Sequence, residues 1–152
     1  MRISSTSNKK RAKFGAGFSI PEVFTSLAIL GLSVGGTITG YIVAVERSQW
    51  SACSLAANCQ ALQRIEQARA AKWDTMANTP VDELLSANFP KVVQPLDLPS
   101  SGTNYVYATN VTTITTVSTS PPMRMVRVDS IWPMASHGTF TNTVVIYRTP
   151  DQ

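Results

Sequence analysis

The chain has 152 residues, of which 43% are hydrophobic and 14% charged, with a formal net charge of +4 and a pI near 9.3. Five of the thirteen cations (Arg2, Lys9, Lys10, Arg11 and Lys13) precede Phe18, so from Phe18 onward eight cations meet nine acids and the net charge is −1. The basic balance belongs to a leader, and the remaining cations are scattered without aromatic interleaving, which excludes a nucleic-acid surface.

After the leader comes Gly17-Phe18-Ser19-Ile20-Pro21-Glu22, and from Val23 to Val45 there is no charge for 23 residues. A helix of that length is about 34 Å long at 1.5 Å per residue, enough to span the roughly 30 Å hydrocarbon core of a bilayer. Five cations ahead of it hold that end in the cytoplasm by the positive-inside rule and send the rest of the chain across. A cleaved secretory signal fits poorly, because the apolar run exceeds an ordinary h-region and no Ala-x-Ala site closes it.

Glu22 stands at the doorstep of this helix. Ser19 and Glu22 have capping-box spacing, Pro21 falls in the first turn, and the helix dipole favours an acid there. A second role is compatible with the first. If the Gly17–Phe18 bond is cut, Phe18 gains an ammonium four residues before Glu22, and in a bundle of such helices it can neutralise a neighbour's carboxylate. Further along, Gly31-x-x-x-Gly35 and Gly36-x-x-x-Gly40 put small residues one turn apart on two faces, a spacing that lets helix backbones approach.

Lys13-x-Gly-x-Gly17 followed by Phe18-Ser-Ile-Pro-Glu22 and an apolar run resembles the N-terminus of type IV prepilins and the pseudopilins of type II secretion. The resemblance covers about residues 13–32, and Pro21 departs from it where the family carries an aliphatic residue. It implies that a prepilin peptidase cuts after Gly17 and methylates Phe18, and that Glu22 guides subunit packing. It implies as partners the peptidase, other pilin or pseudopilin subunits, an inner-membrane assembly platform and membrane lipid, with the C-terminal domain outside the inner membrane of a bacterium. It also implies that the glycine-containing part of the helix can lose helicity on assembly. The short soluble part, without the family's common C-terminal disulfide loop, is similar to the minor subunits.

Beyond Val45 no breaker occurs before Pro80, so the helix is expected to continue to Trp73 or Asp74 as an amphipathic stem, with Leu55, Cys59, Leu62, Ile65 and Ala68 as its core stripe. Cys53 and Cys59 lie about 9 Å apart along such a helix, beyond disulfide reach. Either both are free, the favoured reading, or the helix breaks near Asn58. Without histidines at ligand spacing they are no zinc site.

Residues 75–103 carry Pro80, Pro90, Pro95 and Pro99 and read as a connector without long regular elements, with one or two helical turns allowed over 81–87. From 104 onward the chain reads as antiparallel strands near 105–117, 125–131 and 140–148, with turns at Pro121-Pro122 and Ser136-His137-Gly138. In the middle strand Val126, Val128 and Ser130 share one face. The fold class expected is α+β: a long N-terminal helix packed on a sheet of three or four antiparallel strands, arranged as leader 1–17, helix 18–74, connector 75–103 and sheet 104–152.

Nothing in the sequence assembles a catalytic constellation. His137 precedes a glycine in a turn, Asp82-Glu83 read as a solvated helix start, and no phosphate-cradling loop or Gly-x-Ser-x-Gly appears. Asn110-Val-Thr112 matches a glycosylation sequon, set aside because the leader is bacterial in style. No enzyme activity and no cofactor are expected. The alternative to a filament subunit is an uncleaved, single-pass anchored domain that binds a partner outside the membrane.

Overall fold

The computed structural model describes residues 17–101, 104–134 and 137–151. The leader up to residue 16, the Gly102 end of the expected connector and Ser136 of the expected turn lie outside the described residues. The molecule is α+β: one helix, α1 (Ile20–Ala70), is followed by antiparallel strands. The chain divides into two compact units, one ending at Ile42 and one beginning at Val43.

In the first unit α1 runs without a break through Gly31, Gly35, Gly36 and Gly40. Its hydroxyls are satisfied inside the helix: Ser33, Thr37 and Thr39 donate to the carbonyls of Ile29, Ser33 and Gly35 at 2.8, 2.8 and 2.9 Å. Every residue of this unit from Gly17 on is exposed. Helix α1 is long and apolar enough to cross a membrane.

In the second unit the stem of α1 is joined by β1 (Trp73–Asp74) and β2 (Val81–Asp82), which pair with each other, and by a short 3-10 turn at Ser86–Asn88. A four-stranded sheet follows, with β3 (Val92–Ser101), β4 (Asn104–Thr119), β5 (Pro122–Met134) and β6 (Gly138–Arg148) in the order β3-β4-β5-β6, all neighbours antiparallel. Gly138 has φ +87°, a left-handed conformation that suits glycine in the turn before β6.

Three features depart from the sequence expectation, each for a physical reason. The stem ends at Ala70, short of Trp73. The Arg148 guanidinium bonds the carbonyls of Ala68 and Ala71, both at 2.7 Å, and so serves the open carbonyl end of the helix. Asp151 holds Arg148 at 2.6 Å and accepts the Trp73 N–H at 2.8 Å, which draws Trp73 out of the helix and into β1.

The connector contains β3, a strand of ten residues, despite Pro95 and Pro99. It lies at the sheet edge, where a residue that cannot donate to the ladder is tolerated, and its register slips between the two prolines. In place of helical turns over 81–87 the chain forms β2 and the start of the 3-10 turn.

The third departure is the core face of the stem. Ile65 and Ala68 are buried as expected, but their companions are Cys53, Ala57 and Ala61, while Cys59 is exposed and Leu55 and Leu62 stay 65% and 44% exposed. The buried face of the stem carries small side chains, and the space between stem and sheet is filled from the sheet by Trp132, Val126 and Val128 of β5. Helix α1 is unbroken at Asn58, and Cys53 and Cys59 are both free thiols.

The inward alternation of β5 is the one expected: Val126, Val128 and Ser130 are buried, and Trp132 extends the row. Two apolar clusters result, one around Ile65, Trp73, Leu84 and Val126, the other around Ala57, Leu96 and Trp132. Between them Asn110 and Ser130 face each other across β4 and β5, both buried, and the Asn110 amide donates to Gln60 Oε1 at 3.0 Å. A second polar tie runs from Trp132 Nε1 to Asn142 Oδ1 at 2.8 Å and from Asn142 Nδ2 to Ser54 Oγ at 3.0 Å. Such bonds favour this register of stem on sheet, because a slip would break them, although Asn110 Oδ1 and Ser130 Oγ are buried without a partner in it.

Candidate functional site

Gly17, Phe18 and Ser19 precede α1 without regular structure and are exposed, Phe18 by 81%. The Ser19 carbonyl accepts the N–H groups of Glu22 and Val23 at 3.0 and 3.2 Å, which makes Ser19 the cap of the helix. The return bond expected of a capping box is there in weak form, with the Ser19 N–H donating to Glu22 Oε2 at 3.4 Å. Pro21 stands in the first turn, where a missing N–H breaks nothing. A carboxylate offers about four acceptor positions, so this single long bond leaves most of the capacity of Glu22 open.

Among the described residues, and apart from the neighbouring backbone of the helix itself, nothing lies within 4 Å of where a Cβ would stand at Gly31, Gly35, Gly36 or Gly40. Nothing among the described residues requires glycine at these four positions, and their smallness is available to something outside the chain. The leader cations lie outside the described residues.

The other polar residues singled out in the sequence serve the second unit. Asp82 takes a two-pronged bond from Arg124, with both N···O distances 2.7 Å, and Arg124 also donates to the Leu84 carbonyl at 2.8 Å and covers the Trp73 ring at 4.5 Å. The bond from Arg124 holds the Asp82 carboxyl below its usual range. Glu83 accepts the Lys72 N–H at 2.9 Å. These two acids therefore clamp the connector, instead of opening a solvated helix as the sequence suggested. Asp151 also lies low, foremost because the Trp73 backbone N–H bonds it. Burial raises the Cys53 thiol.

His137 lies in the turn before β6, exposed, and with Val43, Glu46, Arg47, Trp50 and Met134 lines an open pocket of about 280 Å³. Asn110 of the sequon is 1% exposed inside the core and cannot accept a glycan in the folded chain. Among the described residues no three His, Cys, Asp or Glu side chains converge as metal ligands.

Arg124, Arg148 and Asn142 escaped the sequence reading, and Gln60, read as a polar residue facing away from the core stripe, instead bonds Asn110 and the Pro95 carbonyl. Their partners lie 35 or more residues away, and a lone arginine or amide carries no local signal of such a bond. Comparison with family models, with curated proteins and with solved structures finds no match.

Proposed function

We propose that this chain is a minor pilin or pseudopilin, a structural and non-catalytic subunit of a type IV pilus or type II secretion filament. It waits in the bacterial inner membrane with its second unit outside. Prepilin peptidase removes residues 1–17 and methylates Phe18, and the subunit then enters the filament through its first unit. The observation that carries the reading is Glu22, a carboxylate with one long internal bond at the head of a helix whose next twenty residues are all exposed. A charge so placed is costly in an apolar setting until a cation meets it, and the new Phe18 ammonium of a neighbour supplies one. The four unhindered glycines support close helix packing with several neighbours, and the assembly platform and membrane lipid complete the set of partners.

The Ser19–Glu22 bond also fits an uncleaved, singly anchored domain in which Glu22 only caps its helix. Mass spectrometry of the protein from cells that possess the peptidase separates the two. The filament reading expects N-methylphenylalanine at Phe18, and the anchor reading expects the leader retained. Glu22→Ala is expected to leave cleavage intact and to reduce incorporation into filaments by about tenfold or more, the effect of leaving one buried charge unpaired. Normal incorporation of that variant would reduce Glu22 to a cap.

A further inference from the structure

The stem residues Val43, Glu46, Arg47 and Trp50 line the open pocket of about 280 Å³ in the second unit, with Met134 and His137 on its sheet side. At about 100° of helix per residue, Glu46 and Arg47 fall on opposite flanks of that stem face, with Val43 and Trp50 between them. The pocket therefore offers a carboxylate, an apolar strip and a guanidinium side by side. Among the described residues neither Glu46 nor Arg47 has an ion pair or a side-chain hydrogen bond. Trp50 is braced by the core: Phe140 meets it edge-on with ring centroids 6.1 Å apart, and Phe140 stacks on the buried Trp132 at 5.1 Å.

We propose that this pocket binds the headgroup of a zwitterionic phospholipid, with the phosphate on Arg47, the ammonium on Glu46 and the Trp50 ring against the stem of the headgroup. The proposal rests on the membrane placement of α1 given above. Val45 ends the charge-free run, Glu46 and Arg47 follow at once, and Trp50 comes about 8 Å past Val45 along the helix. The headgroup layer on each side of the hydrocarbon core is about 5–8 Å thick, so the four stem residues fall at its depth. Tryptophan is the residue type that settles at that level, and a guanidinium is the side chain whose fork matches a phosphate. Charge selects the headgroup. An anionic one would satisfy Arg47 but leave Glu46 facing more negative charge, whereas a zwitterion answers both flanks. The pocket lies at the small end of ligand sites, which suits a headgroup whose acyl chains stay in the bilayer.

The test uses the full-length chain in two steps. Flotation with phosphatidylcholine vesicles on a density gradient comes first, and the chain is expected to float. In non-ionic detergent micelles it is then titrated with dihexanoyl phosphatidylethanolamine, dihexanoyl phosphatidylglycerol or soluble phosphoethanolamine, and tryptophan fluorescence is read. Trp50 is 43% exposed, against 3% for Trp73 and 0% for Trp132, so the signal belongs to the pocket and should vanish in Trp50→Phe. Phosphatidylethanolamine is expected to bind at least about fivefold more tightly than phosphatidylglycerol, and the soluble headgroup more weakly than either. Arg47→Gln should weaken both lipids by about fivefold, and Glu46→Gln should abolish the preference between them. Glu66→Gln, the same change of charge further along the stem, should alter nothing, and circular dichroism checks that each variant is folded. Failure to float would overturn the membrane placement and the site with it. A chain that floats but binds both lipids alike, ignores Arg47→Gln, or takes the soluble headgroup as tightly as the lipid would overturn the site alone.

Discussion

Arg124 shows at the residue scale how one side chain organises the region between stem and sheet. Its fork binds Asp82 and the Leu84 carbonyl while its plane lies over Trp73, so connector, core and sheet meet at one guanidinium. With 18% of the Arg124 side chain and 35% of the Asp82 side chain exposed, the pair lies between a surface bridge and a buried one. Arg124→Ala is expected to cost about 2 kcal/mol, and Arg124→Lys recovers little because an ammonium lacks the fork.

The sign of the pH dependence follows from the Asp82 carboxyl, which lies below its usual range chiefly through the bond from Arg124. A lowered carboxyl stabilises the fold fully above its unfolded pKa of about 3.9, and that stability is lost as pH falls through the lower folded value. Denaturant midpoints measured from pH 6 downward should therefore fall below about pH 4. Asp151, lowered by the Trp73 N–H, contributes in the same window. Asp82→Asn should start less stable and lose less on acidification, and an unchanged acid slope would exclude Asp82 as a source.

Helix α1 carries the lesson at the scale of the element. Hydrophobicity points to Leu55, Cys59 and Leu62 as the buried stripe, yet the sheet packs against Cys53, Ala57 and Ala61. An alanine face is only weakly apolar in a periodicity count, and the volume over it comes from Trp132 on the sheet. Ala57→Leu is accordingly expected to destabilise the fold by about 1–3 kcal/mol through overpacking. Leu62→Ala, at an exposed position, should change stability by less than about 0.5 kcal/mol. The reverse order in chemical denaturation would mean that the stem is turned the other way. Strand β3 was hidden for a related reason: prolines argue against a strand from local sequence alone, and an edge position removes the objection only once the neighbours are known.

At the scale of the whole molecule the two units divide the labour. Every buried apolar residue among those described lies between Cys53 and Trp132, within the unit that begins at Val43. A chain lacking residues 1–42 should therefore keep its strand signal and a melting temperature within a few degrees of the full-length protein, read by circular dichroism. A large loss would show that the first unit contributes to the core.

The sequence by itself determined the linear features: the charge-free run, the Gly17-Phe18 junction, the place of Glu22 at the helix head, and the alternation of Val126, Val128 and Ser130. Each depends on neighbours within a turn or along one strand, so a local pattern suffices. The tertiary structure alone decided which face of the stem is covered, where the stem stops, that β3 exists, and that Arg124, Arg148 and Asn142 tie distant segments together. Those outcomes depend on which side chains fill the space between two surfaces and on which polar groups find partners, and both are properties of pairs of segments that no single stretch of chain contains.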